Sequence, residues 1–142
     1  APHRLMVSPS ELRLVKGMTS DLFNSLSPYI MALPVATPIN VNNAKAPVLM
    51  SLSPTLTLDG AKAIESACKE APFASVALFH NFDVVKNNTF TDSELTTSSA
   101  YFLVTSYVTI GDQTTTIYTL LERDIKNTTP TLTVLWQTKG TL

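Results

Sequence analysis

The chain has 142 residues and a net charge of −1, with 44% hydrophobic and 15% charged residues. This balance is typical of a folded chain with one compact domain or two small lobes, and it excludes a disordered acidic tail and a strongly basic nucleic-acid binder. Cys68 is the only cysteine, which excludes an internal disulfide and a thiolate metal cluster supplied by this chain alone.

The first thirty residues have the periodicity of two short helices. Ser8 or Ser10 can cap the first helix, which Gly17 can end, and Thr19 can cap the second. The apolar residues that these two helices present are Leu12, Leu14, Val15, Leu22, Phe23 and Leu26.

An extended connector follows, because Pro34 and Pro38 disfavour helical backbone at the residues before them. A helix is predicted over residues 44–52, with Pro47 in its first turn, where a missing N–H does no harm. Three side chains in front of this helix can cap it: Asn40, Asn42 and Asn43.

A longer helix is predicted between Thr57, a good cap, and Pro72. Cys68 falls on its apolar side and is expected to be a small buried residue. Ser75 can begin a last short helix in the stretch SVALFHNF.

The second half of the chain changes to a period of two, which predicts strands. Residues 101–110 alternate, with Phe102, Val104, Ser106, Val108 and Ile110 on one face. A turn at Gly111 and Asp112 leads to a return strand through residues 117–121, and a third strand over 131–138 follows a turn at residues 127–130. The predicted class is therefore α+β, with residues 83–96 as the joint.

The stretch TPINVNNAKAPVLMSLSP, residues 37–54, opens a helical hairpin of a kind that often binds a nucleic-acid backbone. Such a hairpin needs a Gly-rich turn that brings bare backbone amides to the phosphate, but this turn carries Pro54, Leu56 and Thr57. The nearby lysines are scattered among acidic residues, so a helix-hairpin-helix nucleic-acid-binding protein is only the alternative interpretation.

Catalytic patterns are missing from the sequence. The two histidines, His3 and His80, have no Ser or Cys nucleophile in a recognisable elbow, and we therefore predict no enzyme. Calcium is possible, because oxygen ligands occur in the predicted joint, but their spacing is not that of a calcium-binding loop and no ligand is assigned. These residues are Asp83, Asn87, Asn88, Asp92 and Glu94.

Taken in order, these elements resemble one family, the general secretion pathway protein K, a minor pseudopilin of the bacterial type II secretion system. The segments that carry the resemblance are SPSELRLVKGMTSDLFNSLSPYIMALP, TPINVNNAKAPVLMSLSP, APFASV, SSAYFLVTSYVTIGDQTTTIYTLLERD and VLWQT. They are ordered and cover nearly all of the chain. The chain is expected to correspond to the C-terminal portion of such a subunit.

The resemblance implies two domains. Residues 8–85 would form a helical domain of paired helix-hairpin-helix or SAM-like units, and residues 93–140 would form the closing antiparallel strands of a pilin-like head. Within the helical domain, Asn40 and Asn42 match the family motif NVN. Together with Pro38, they are expected to fix how the two hairpins dock, or to contact a partner.

The resemblance also implies a function. The subunit would cap or nucleate the tip of the periplasmic pseudopilus with the minor pseudopilins I and J, and so support export of folded proteins. It would face the periplasm and be anchored in the inner membrane through an upstream N-terminal helix. Secreted proteins are further expected partners, nucleic acid is not, and calcium can be bound in the head.

Overall fold

The computed structural model describes residues 6–124 and 129–140. The chain divides into two compact units between Ser98 and Ser99. The described helices lie in the first unit, and a three-stranded antiparallel sheet forms the second. The predicted α+β class is confirmed. The domain limits of 8–85 and 93–140 stay a prediction.

The first unit begins with a 3-10 helix, Pro9–Leu14, where the sequence predicts an ordinary short helix. Ser8 and Glu11 form a reciprocal capping box at its start. Helix α1, Ser20–Leu26, is capped by Thr19 as predicted, and it buries Phe23. Of the predicted inner side of α1, Phe23 is buried and Leu26 is half-buried, whereas Leu22 is 45% exposed.

Two helices form the centre of this unit. Helix α2 spans Ala46–Ser51 with Pro47 in its first turn, and helix α3 spans Leu58–Glu70. The Thr57 hydroxyl accepts a hydrogen bond from the Gly60 N–H, so the predicted cap of α3 is confirmed. The core of the unit is formed by Val41, Ala46, Leu49, Leu56, Ala61, Ile64, Cys68, Phe79, Val85 and Leu95.

The unit is completed by short elements. Helix α4, Val76–His80, is capped by Ser75 as predicted, and it is followed by helix α5, Asp83–Lys86, and a 3-10 helix, Asp92–Glu94. The sequence analysis treats residues 83–96 as a joint, yet this segment contributes Val85 and Leu95 to the core.

A two-residue parallel pairing joins the connector before α2 to the end of the helical unit. Strand β1, Ile39–Asn40, pairs with strand β2, Leu95–Thr96. The Val41 N–H also donates to the Thr96 carbonyl at 2.9 Å. The sequence analysis does not predict this pairing, since neither segment alternates over a strand's usual length.

The second unit is a meander of strands β3, Tyr101–Ile110, β4, Gln113–Asp124, and β5, Thr131–Lys139, with β4 in the centre. Ile110 pairs with Gln113 across the predicted two-residue turn, where Gly111 has a φ of +59°. The pairing of β5 shifts by one residue between Leu120 and Leu121, which is a bulge. The predicted turn at residues 127–130 falls partly on residues outside those described.

The register puts the residues that alternate in β3 on one face, as the sequence predicts. Phe102 pairs with Leu121 and Ser106 pairs with Ile117, so these residues share that face. Several of its side chains are well exposed, among them Phe102, Val104, Val108, Ile110, Leu132 and Val134. In residues 6–124 and 129–140, no helix has both the length and the apolarity that a membrane crossing requires.

Candidate functional site

Asn42 joins three segments of the helical unit. Its side-chain Nδ2 donates to the Phe73 carbonyl at 3.0 Å and to the Thr97 carbonyl at 3.1 Å. Its Oδ1 accepts from the Phe73 N–H at 2.8 Å. One amide side chain therefore links the connector, the loop after α3 and the chain just after β2. These partners are 31 and 55 residues away along the sequence.

Asn40 acts on the same loop. Its Oδ1 accepts from the Asn42 N–H at 3.0 Å, which is an Asx turn, and its carbonyl accepts from the N–H groups of Asn43 and Ala44. Pro38 is exposed and directly precedes β1. The structure thus brings Asn40 and Asn42 together at one turn, with Pro38 at its entrance.

The three asparagines do not cap α2, which corrects the sequence-based expectation. Lys45 occupies the cap position, and its side chain makes no capping hydrogen bond. The Ala46 N–H donates instead to the Glu65 carboxylate of α3 at 3.1 Å. A distant carboxylate therefore satisfies one of the free N–H groups at the start of α2.

Glu65 is the centre of a charged junction between α2 and α3. Its Oε1 lies 3.3 Å from the Lys45 ammonium and 3.2 Å from the Lys69 ammonium. The hydrogen bond from Ala46, followed by those from Lys69 and Lys45, lowers the pKa of the Glu65 carboxyl below its ordinary value of 4.5. The junction therefore favours the ionised carboxylate.

The turn between α2 and α3 packs into the helical unit. Leu56 and Ser53 are buried there, and the Leu56 N–H donates to the Ser53 carbonyl at 3.3 Å. The Gly60 N–H is held by Thr57. Leu56 turns its side chain into the core of the unit, so the turn serves packing.

The oxygen-bearing side chains that follow α4 are engaged in separate pairs. Asp92 lies 2.8 Å from His80 Nε2, and Asp83 lies 3.0 Å from the Lys86 ammonium. Asn87 and Asn88 donate to backbone carbonyls one turn earlier. Within residues 6–124 and 129–140, no group of three His, Cys, Asp or Glu side chains could hold a metal ion. We assign no calcium ligand.

Cys68 is buried against Val41, with its Sγ 3.5 Å from the Val41 carbonyl. Burial raises the pKa of its thiol, and the nearby Glu65 adds to this shift. The thiol is therefore held in its protonated form, as expected for a small core residue.

The sequence analysis missed both partners of Asn42 and the role of Glu65. Nothing local marks Phe73 or Thr97, because their backbone groups, not their side chains, hold Asn42. Glu65 has a weak local signal in the i, i+4 spacing to Lys69. Its bond to Ala46 depends on how α2 meets α3.

Comparison with family models agrees with the fold. The model of the first region of type II secretion system protein K matches residues 1–35, and the main model of type II secretion system protein K matches residues 39–98. Together they cover about two thirds of the chain, including the Asn40 turn and all five α-helices.

Two relatives carry the same description. Type II secretion system protein K of Pectobacterium carotovorum subsp. carotovorum is 34% identical over 110 residues, which are 72% of this chain and 34% of that protein. Its counterpart in Pseudomonas aeruginosa is 28% identical over 123 residues, which are 87% of this chain and 36% of that protein. The chain thus spans about a third of the length of these relatives.

A solved structure has the same fold. A chain in the GspK–GspI–GspJ complex of the enterotoxigenic Escherichia coli type 2 secretion system matches 98% of this chain with a TM-score of 0.74. The sequence identity is 21%, and half of that chain is covered. The fold and the family models therefore define a secretion-system component with a helical unit and an antiparallel sheet.

The chain belongs to the type II secretion system protein K family. The resemblance seen in the sequence is confirmed. The comparisons do not support the alternative of a helix-hairpin-helix nucleic-acid-binding protein.

Proposed function

We propose that the chain is part of a minor pseudopilin that caps or nucleates the tip of the type II secretion pseudopilus together with the minor pseudopilins I and J. The observation that carries this proposal is the fold match over 98% of the chain to a structure described as a complex of GspK, GspI and GspJ. The role is non-enzymatic, and it supports the export of folded proteins.

The surface of the second unit supports an assembly role. Ile110, Leu132 and Val134 are 79%, 67% and 60% exposed on a single face of the sheet. Apolar patches of this kind are typical of faces that other protein covers. In this proposal the sheet takes part in the assembled head, and the helical unit faces outward, where it blocks the addition of another subunit and can contact secreted proteins.

The helical unit suits a blocking role because distant contacts hold it closed. Asn42 and the pairing of β1 with β2 join the connector before α2 to the end of the unit, and Pro38 and Asn40 lie in that connector. We propose a structural role for these three residues, in preference to direct partner contact. The proposed setting is the periplasm, with the whole subunit anchored in the inner membrane.

Mixing the whole subunit with a purified complex of the I and J pseudopilins tests the proposal. Size-exclusion chromatography with light scattering is expected to show one species that contains all three proteins. Separate elution at concentrations of about 10 µM would contradict the proposal. A DNA titration at low salt is the control, since micromolar affinity that falls steeply with salt would favour the alternative function.

A further inference from the structure

The helical unit contains two parts that pack separately: residues 6–29, the leading part, and residues 39–98, the core part. No apolar side chain of residues 6–38 belongs to the core of the unit or packs against it. The one buried side chain of the leading part is Phe23, whose ring centre lies 3.9 Å from the Arg13 guanidinium of the same part. Little apolar burial therefore holds the two parts together.

Polar contacts also lie within each part. Residues 12–38 make no hydrogen bond and no ion pair with residues 41–98. Inside the leading part, by contrast, the Thr19 hydroxyl caps α1, and the Met18 N–H donates to the Val15 carbonyl at 3.0 Å. Because the two parts share little burial and few polar contacts, little free energy favours one orientation of the leading part over another.

The connector between the two parts has held ends and a free middle. It follows the second 3-10 helix, Ser27–Tyr29, and it enters β1, Ile39–Asn40, which pairs with β2. Residues 31–37 between these ends make no main-chain hydrogen bond within the described chain. A groove of about 570 Å³, lined by Val48 among others, lies between the connector and α2. Backbone that is neither bonded nor closely packed can absorb changes in φ and ψ.

The family models divide the chain at the same place. The model of the first region ends at residue 35, and the main model begins at residue 39. Both boundaries lie in or next to the connector. The two parts are therefore distinguished by their sequences as well as by their packing.

We propose that residues 31–37 are a hinge, about which the leading part moves as one body while the core part stays closed. Asn42 and the pairing of β1 with β2 anchor the hinge on the side of the core part. The hinge does not depend on the pseudopilus role, because it concerns the helical unit alone.

Distances between spin labels on the full chain, measured by double electron–electron resonance, test the hinge. One label is placed at Asn24→Cys on α1 and the other at Lys62→Cys on α3, both at exposed positions, with buried Cys68 replaced by Ala. We expect a distribution of distances about twofold wider than that of a control pair at Lys62 and Asn81, both in the core part. Equal widths would overturn the proposal.

Two proline substitutions distinguish the connector from another exposed loop. Pro34→Gly frees φ at a position in the hinge, and we expect it to widen the distribution further. Pro54→Gly, at an exposed proline in the turn between α2 and α3, is the matched control that leaves the width unchanged. Equal effects of the two substitutions would contradict the proposal.

NMR separates a hinge from an unfolded leading part. The amides of α1 are expected to keep helical chemical shifts and the relaxation of an ordered backbone, since a hinge moves a folded part. Random-coil shifts throughout α1 would overturn the proposal even if the distribution of distances were wide.

Discussion

Asn42 is the residue on which the closure of the helical unit depends most. Asn42→Ala removes its three hydrogen bonds to Phe73 and Thr97 and leaves their half-buried backbone groups without partners. We expect a loss of about 2–3 kcal/mol in the free energy of unfolding. The measurement is urea denaturation followed by the helical circular dichroism signal.

Asn43→Ala is the matched control, because Asn43 is the exposed neighbour of Asn42. Its expected cost is about 0.5 kcal/mol or less, as for ordinary surface positions. Equal effects of the two substitutions would mean that the bonds of Asn42 do not hold the unit together.

The lowered pKa of Glu65 predicts that the stability of the helical unit depends on pH. Since the folded state lowers the pKa of this carboxyl below 4.5, its contribution to stability is fully present above that value and is lost as the pH falls through the folded pKa. The stability difference between the natural chain and Glu65→Gln should be constant near neutral pH and shrink on acidification below about 4.5. A difference that grows as the pH falls would contradict this sign.

At the scale of the element, α4 is held by a single aromatic anchor. Phe79 is fully buried and makes edge-to-face contacts with Phe73 and Phe90, at centroid distances of 5.4 and 5.3 Å. Phe79→Ala is expected to destabilise the helical unit by about 3–5 kcal/mol. Leu78→Ala, at a neighbouring position of the same helix that is half exposed, should cost about 1 kcal/mol or less, and urea denaturation of both variants compares them.

The backbone conformation of the turn between β3 and β4 predicts how a substitution at Gly111 changes the stability of the sheet. Gly111 has a φ of +59°, and a side chain there would meet no neighbouring atom within 4 Å, so the cost of Gly111→Ala is purely one of backbone conformation. That cost is about 1 kcal/mol. Trp136 fluorescence during denaturation measures it, and Asp112→Ala is the control for the same turn. No effect of Gly111→Ala would show that the turn does not fix the register.

The elements that could be predicted from the sequence are those with local signals. Thr57 and Ser75 mark helix starts because their hydroxyls bond to N–H groups three residues on. The hairpin of β3 and β4 follows from alternation and a Gly-Asp turn. Leu22 is exposed although it falls on the predicted inner side of α1, because helical periodicity shows a face but not whether anything covers it.

What could not be predicted is set by contacts between distant parts of the chain. The pairing of β1 with β2 involves two residues from each strand, which is too short to produce a pattern. The sequence predicts that the asparagines cap α2, but the Ala46 N–H donates instead to Glu65 of the neighbouring helix. The sequence points to Asn40 and Asn42, whose part in a site stays a prediction, but nothing in it points to Phe73 or Thr97, the hydrogen-bond partners of Asn42.

At the scale of the whole molecule, the chain consists of two units that differ in architecture. In the helical unit, Asn42 and the pairing of β1 with β2 join the connector to the end of the unit, whereas the sheet exposes several large apolar side chains on one face. In the proposed role, the sheet joins the subunit to others and the helical unit lies at the end of the assembly. In this proposal, the subunit acts through its shape and its surfaces.

We propose that the whole subunit occupies the tip of the pseudopilus. Locating the subunit on the filament is the most direct test of this proposal. Pseudopili assembled in cells with an epitope-tagged subunit would be labelled with gold-coupled antibody and imaged by electron microscopy. Gold label is expected at one end of each filament. Label spread along the filaments would contradict it.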